Sequence, residues 1–222
     1  MDKPSKSWYV RASSMGALMS KGRGKGNEWG ETSLGVIRDA VLLNKYGVKT
    51  QIVSKYLDKG IINEPQAIEM MMNQMKWTPE VENGHLKKTR LFNDYVTGEP
   101  DLLFNTKNEM ILGDVKCSFS ASTFPLFHEG DLMGLNKGYF FQMMTYMFLC
   151  DVKKSYLSYC LTDTPAHIIN DEVQRRTWKA MSYPENHEKS MDDIEQELSE
   201  DIKNEMTFSQ IPESSRVRTF EI

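Results

Sequence analysis

Cysteine is scarce: Cys117, Cys150 and Cys160 are the only three, they stand at no CxxC spacing, and their odd number gives no disulfide framework. Reduced, mostly packed thiols are expected. Long apolar runs are missing as well. None approaches the roughly 18 to 20 residues that a membrane helix requires, and the opening MDKPSKSWYVRASS lacks the apolar middle of a signal peptide. A cytoplasmic protein without membrane contact is expected. No internal repeat or low-complexity tract occurs, which argues against solenoids and linkers. With 40% hydrophobic and 26% charged residues in 222, the composition excludes disordered and collagen-like classes and suits one α/β domain spanning 1–222.

Positive charge is in deficit overall, at a net −4, but the deficit is local. Residues 181–205 hold nine acids against two lysines, so the rest of the chain carries a net of about +3. Residues 1–25 have six Lys/Arg against one Asp and end in the glycine-spaced SKGRGKG. The overall balance is therefore no argument against a phosphate-bearing ligand.

Along the chain, 12–20 reads as a short helix capped by Ser13 or Ser14, and 31–47 as a second helix stopped by Gly47. Residues 63–75 read as a third, with Asn63 as its cap, Pro65 in the first turn and Ala67, Met71 and Met75 in one packed stripe. The period then changes. TRLFNDYV, PDLLF and EMILGDVK read as three strands, followed by a long loop, a buried helix over 139–150, a strand at KSYLSYCLT and a helix at NDEVQRRTWKAMS. An acidic helix over 190–205 and a closing edge strand form an appendage at about 185–222. The order predicts a central mixed β-sheet flanked by helices.

In ILGDVKCS, strand alternation sends Asp114 and Lys116 to one face and Val115 to the other, while Asp101 opens the neighbouring strand. Two converging carboxylates are costly unless a cation joins them. Oxygen donors without a neighbouring Cys or His favour Mg²⁺ or Mn²⁺ over zinc. A protonated lysine beside that ion does not ligate it, but it can position water and neutralise charge on a phosphoryl group. His128, Glu129 and Asp131 in FHEGD lack a spacing that would converge them, and His85, His167 and His187 stand isolated.

The Pro-Asp at 100–101 and Asp-x-Lys at 114–116 resemble the PD-(D/E)xK nuclease superfamily. Two further motifs occur in the same order as in that superfamily. GIINEP, ending in Glu64-Pro65, is similar to the acidic helix of the lambda-exonuclease/YqaJ branch, and Gln142 with Tyr146 matches the QxxxY helix of RecB-type nucleases. VRASSMGALMSKGRGKG resembles the early helix and basic loop of the same branch, with Ser13 at a phosphate-holding serine and Arg11 at a threonine position. The pattern extends over most of residues 8–165. Glu99 stands where the family has a serine, and an arginine expected upstream has no counterpart.

The resemblance implies a restriction-endonuclease-like core and a metal-dependent DNA exonuclease of the phage recombination type, acting on linear double-stranded ends. Asp101, Asp114 and the Val115 carbonyl would bind Mg²⁺ or Mn²⁺, Glu64 would support a second ion, and Lys116 would orient the attacking water. Arg11, Ser13, Lys21, Arg23, Lys25, Gln142 and Tyr146 would contact DNA. A single-strand annealing protein as partner and a homo-oligomer are further implications. The alternatives are a RecB-like endonuclease and a catalytically silent DNA-end-binding accessory protein.

Overall fold

The computed structural model describes residues 9–222 apart from 25, 27, 51–53, 79–87, 107–108 and 187. Lys25, His85 and His187 therefore lie outside the described residues. The chain opens with strand β1 (Val10–Arg11), a 3-10 turn over Ala12–Ser14 and the one-turn helix α1 (Met15–Leu18). The helix expected over 12–20 is thus shorter and tighter than its pattern suggested. Helix α2 (Glu31–Tyr46) ends where Gly47 takes a left-handed conformation, φ 67°. Its inward face is small and polar: Ser33 and Ala40 are buried, while Leu34, Ile37 and Val41 are exposed.

Helix α3 (Lys55–Met75) begins eight residues before the expected start at Asn63. Ser54 caps it by accepting the Tyr56 N–H at 3.2 Å. Asn63 is a buried interior residue whose amide donates to Thr162 Oγ1 at 2.9 Å and to the Asp163 carbonyl at 2.7 Å. Tertiary packing, not apolar periodicity, extends the helix, since Ile61 and Ile62 in the added turns face outward. Pro65 consequently sits inside the helix instead of in its first turn.

The strand expected over 89–96 is two strands, β2 (Leu91–Phe92) and β3 (Val96–Gly98). Asn93 splits them: its side-chain oxygen accepts the N–H groups of Tyr95 (2.8 Å) and Val96 (2.9 Å) in an Asx turn. Then come β4 (Leu102–Asn105) and β5 (Met110–Cys117), the 3-10 turn Ala121–Thr123, and α4 (Leu132–Leu135), a helical turn inside the expected long loop. Helix α5 (Lys137–Cys150), strand β6 (Tyr156–Cys160), α6 (Ala166–Met181), α7 (Met191–Met206) and strand β7 (Val217–Glu221) complete the order.

The strands form two sheets instead of one. A three-stranded sheet runs β1-β3-β2, and a four-stranded mixed sheet runs β4-β5-β6-β7, with β5 and β6 parallel and both outer pairs antiparallel. The α/β class with mixed sheets flanked by helices is as expected. β5 divides the core by alternation. Leu112 packs with Met143 and Tyr146 of α5, whereas Ile111 and Val115 pack with Ala67 and Met71 of α3. Gly16 meets Gly138 so closely that a Cβ on Gly16 would lie 2.3 Å from the Gly138 Cα, so α1 rests backbone on backbone against α5. Ile202 and Met206 turn the inner face of the acidic α7 towards Ile168 and Val173 of α6, and Ile194 on α7 is buried as well. All three cysteines are free, and among the described residues no helix is long and apolar enough to cross a membrane.

Lys59 is buried in α3, where its ammonium donates to the Phe119 carbonyl at 3.0 Å and lies over the Phe119 and Phe208 rings. Burial lowers it from the ordinary 10.5 to about 8, against the opposing pull of Cys117 and Asp163. Between those values the unfolded chain holds more of this proton than the folded one, so the contribution of Lys59 to stability rises with pH from about 8 to 10.5. Burial pushes the Cys117, Cys150 and Cys160 thiols up, which lowers stability over part of the same range in both proteins. Denaturant titrations should therefore show the stability of wild type relative to Lys59→Met rising from about pH 8 to 10.5.

Candidate active site

Strand alternation on β5 places Asp114 and Lys116 on the α5 side, and their side chains pair directly through Lys116 Nζ and Asp114 Oδ2. The pair is deeply placed: the Asp114 side chain is 3% exposed and that of Lys116 22%. The second Asp114 oxygen faces the Gln142 amide at 3.5 Å. Gln142 also donates to the Tyr146 hydroxyl at 2.9 Å, as their i, i+4 spacing on α5 allows, and that hydroxyl donates to the Glu99 carbonyl at 3.3 Å. The QxxxY pair thus links β5 to the segment just before β4.

Asp101 lies in the short link between β3 and β4, beside β5. Its Oδ2 accepts the Val115 N–H at 2.9 Å, which fixes the carboxylate against the strand edge. Glu64 reaches the same place from α3. Between Glu64 and Asp101 stands the Lys88 ammonium, paired with Glu64 Oε1 and 3.5 Å from Asp101 Oδ1. Arg90 pairs with Glu99 at 2.9 Å on the same wall. Sequence reasoning missed Lys88 and Arg90: Lys88 precedes the strand expected over 89–96, and Arg90 lies within it but in no spaced motif.

These groups line a single cleft of about 710 Å³. Of the residues singled out in the sequence, Glu64, Asp101, Asp114, Val115, Lys116, Gln142, Tyr146, Arg11 and Ser13 all line it. Lys21 and Arg23 lie on the loop after α1 and do not. Cys117 faces the α3 side but also reaches the cleft wall. His128 rests against the Phe220 ring, and Asp131 caps α4 through the Gly134 N–H at 2.8 Å, so the FHEGD segment is used in local structure.

Burial pushes the Asp114 carboxyl above its ordinary range. Lys116 opposes that shift and Asp101 adds to it. For Lys116, burial alone would lower the ammonium, but the charge and hydrogen bond of Asp114 raise it above the usual lysine range. Lys116 is therefore a hydrogen-bond donor in this arrangement. Tyr146 is pushed up by burial and then by the Asp114 charge, which keeps its hydroxyl a neutral donor.

Three carboxyl groups meet two ammonium groups here. The donor atoms are oxygens, as a hard divalent cation requires. As the side chains now stand, no three Asp, Glu, His or Cys groups among the described residues are close enough together to hold an ion. The reason is visible at both ends: Lys116 engages Asp114, and Lys88 lies between Glu64 and Asp101. The residue types fit the cation, with Lys88 in its way.

No protein-family model and no curated protein matches the chain. Solved structures do share its fold, among them exonucleases. A phage-related exonuclease from Haemophilus somnus 129PT aligns with a TM-score of 0.69 at 23% identity, over 97% of this chain and 84% of that one. The alkaline exonuclease LHK-Exo from Laribacter hongkongensis aligns at 0.54 and 14% identity, over 88% of this chain and 90% of that one. LHK-Exo in complex with dAMP aligns at 0.52 and 14% identity, over 72% and 73%. The resemblance to phage exonucleases read from the motifs thus holds for the fold.

Gly98 at the end of β3 permits the close approach of Tyr146, since a Cβ there would lie 2.4 Å from the ring. Gly98→Ala must displace the phenol from Gln142 and the Glu99 carbonyl. A loss of about 1–3 kcal/mol is expected from such overpacking, read as a lowered urea midpoint, and Tyr146→Phe in the same background should cost little more.

Proposed function

We propose that the chain is a divalent-metal-dependent deoxyribonuclease that degrades linear duplex DNA from its ends. One observation carries this reading: Glu64 from α3, Asp101, and Asp114 with Lys116 from β5 share one cleft with Gln142 and Tyr146. Carboxylates from separate elements around a lysine suit metal-assisted phosphodiester hydrolysis. A cation held there, Mg²⁺ or Mn²⁺ and two ions per site, supplies Lewis acidity to the scissile phosphate.

The protein's own groups do the rest. Asp101 and Asp114 hold the cation with the Val115 carbonyl, and Glu64 supports a second ion. Lys116 is a protonated donor, so it orients the attacking water and offsets negative charge developing on the phosphoryl oxygens. Gln142 and Tyr146 fix the Asp114 carboxylate and the wall beside Glu99. Arg11 and Ser13, which line the cleft, contact the DNA backbone, and Arg90 joins them. Lys21, Arg23 and Lys25 extend the basic path beyond the cleft. Backbone contacts carry no sequence information, so cleavage is sequence-independent.

The wider reading is a cytoplasmic nuclease of phage-type recombination that resects ends for a strand-annealing partner and self-associates. The fold shared with a phage-related exonuclease supports the first part. The exposed Leu34, Ile37 and Val41 stripe on α2 supports the last.

The test is incubation of the purified protein and Lys116→Ala with 5′-phosphorylated linear duplex and a covalently closed circle, with Mg²⁺ or Mn²⁺. The linear DNA should be degraded and the circle spared, and Lys116→Ala should be slower by at least about a hundredfold. Intact linear DNA, with DNA binding retained, would make the chain a DNA-end-binding protein instead.

A further inference from the structure

Lys88 stands apart from the motifs that suggest the centre, yet it is in ion-pair contact with two of its three carboxylates. Its ammonium pairs with Glu64 Oε1 and lies 3.5 Å from Asp101 Oδ1. The other Asp101 oxygen is occupied by the Val115 N–H at 2.9 Å. Lys88 therefore takes the Asp101 oxygen that the Val115 N–H leaves free, the one Asp101 would offer to a cation. Lys116 pairs instead with the third carboxylate, Asp114. The two lysines thus have separate positions, one beside the chemistry and one in the cation's place.

The burial values support the same division. Lys116 is 22% exposed and packs over the Tyr139 ring at 5.0 Å, whereas the Lys88 side chain is 39% exposed and has solvent to move into. Charge counting points the same way. With all three ionised, Glu64, Asp101 and Asp114 carry −3, and the two lysines that pair with them bring this group of five side chains to −1. If Lys88 leaves and one divalent cation enters, Lys116 and that cation bring the centre to zero. If Lys88 stays, the cation must sit against a positive charge in direct contact with its own ligands.

We propose that Lys88 is a built-in placeholder for the metal: its ammonium bridges Glu64 and Asp101 in the metal-free protein and is displaced when a divalent cation binds. This rests on the metal-centred reading above and adds to it a cost of loading. A state in which Lys88 occupies the site cannot take the cation, so apparent metal affinity is reduced by the fraction of molecules in the open state. In return the carboxylates keep a counter-charge and their spacing before the metal arrives. Arginine at the same position would reach both carboxylates with a planar fork and be harder to expel.

The experiment is Mn²⁺ binding to the full chain without DNA, followed by calorimetry and by the electron paramagnetic resonance of free Mn²⁺, with melting temperatures taken with and without Mn²⁺. Wild type is compared with Lys88→Ala, Lys88→Gln, Lys88→Arg and Asp114→Asn. With the site about nine-tenths occupied by Lys88, both neutral variants should bind Mn²⁺ about tenfold more tightly, and Lys88→Arg more weakly than wild type. The metal-free melting temperature of the neutral variants should fall, and its rise on adding Mn²⁺ should be larger than in wild type. Lys88→Gln keeps most of the side-chain length, so a folding defect confined to Lys88→Ala does not obscure the result. If wild type binds Mn²⁺, Asp114→Asn does not, and Lys88→Gln binds equally or less tightly, the placeholder role falls and the metal centre stands. If wild type binds no Mn²⁺, or Asp114→Asn binds it as well as wild type does, the metal-centred reading falls and takes the placeholder role with it.

Discussion

The Asp114–Lys116 pair on β5 is the constraint on which the rest of the structure depends. A carboxylate 3% exposed and an ammonium 22% exposed stand on the central strand of a mixed sheet, between two hydrophobic cores. Desolvating two charges costs several kcal/mol, and their attraction offsets that cost only where geometry and further hydrogen bonds are good. The surroundings supply those bonds. Gln142 faces the second Asp114 oxygen, and Tyr146 holds Gln142. Tyr146 in turn fits only because Gly98 lacks a side chain. A chain of small requirements therefore runs from β3 through α5 to one carboxylate on β5.

The same constraint explains why several elements end at one place. Asp101 uses its Val115 contact to lock the start of β4 against β5, and α3 crosses the opposite face of β5 to deliver Glu64. A helix that began at Asn63 would present Glu64 from a fraying first turn. The observed helix begins two turns earlier, and Asn63 is tied to Thr162 and Asp163 beyond β6. Glu64 is thereby carried by a rigid part of the helix. The backbone that carries Glu64 is therefore fixed, and what is left to order is its side chain and that of Lys88.

How much of this was legible in the sequence follows from how each part is encoded. Asp114, Lys116 and Val115 were legible because a strand's period of two is local. Gln142 and Tyr146 were legible because i, i+4 is local to a helix. Glu64 and Asp101 came from short motifs whose meaning lies in their order. Lys88 and Arg90 were not legible, since only the path of the chain before β2 carries them to the cleft. The early start of α3 was hidden because Ile61 and Ile62 point outward, leaving the Ser54 cap as its signal. The split of the expected strand at Asn93 was within reach, because Asn-Asp is a turn dipeptide; two flanking apolar runs concealed it. The division into two sheets depends on long-range pairing that no local period records.

The most direct test of the account is where a cation binds. Crystals of the protein soaked in Mn²⁺ and measured for anomalous scattering should show a peak touching the carboxylates of Asp101 and Asp114, with Glu64 turned towards it and the Lys88 ammonium moved away. A peak elsewhere in the molecule, or no peak at saturating Mn²⁺ with the Lys88 bridge intact, would contradict it.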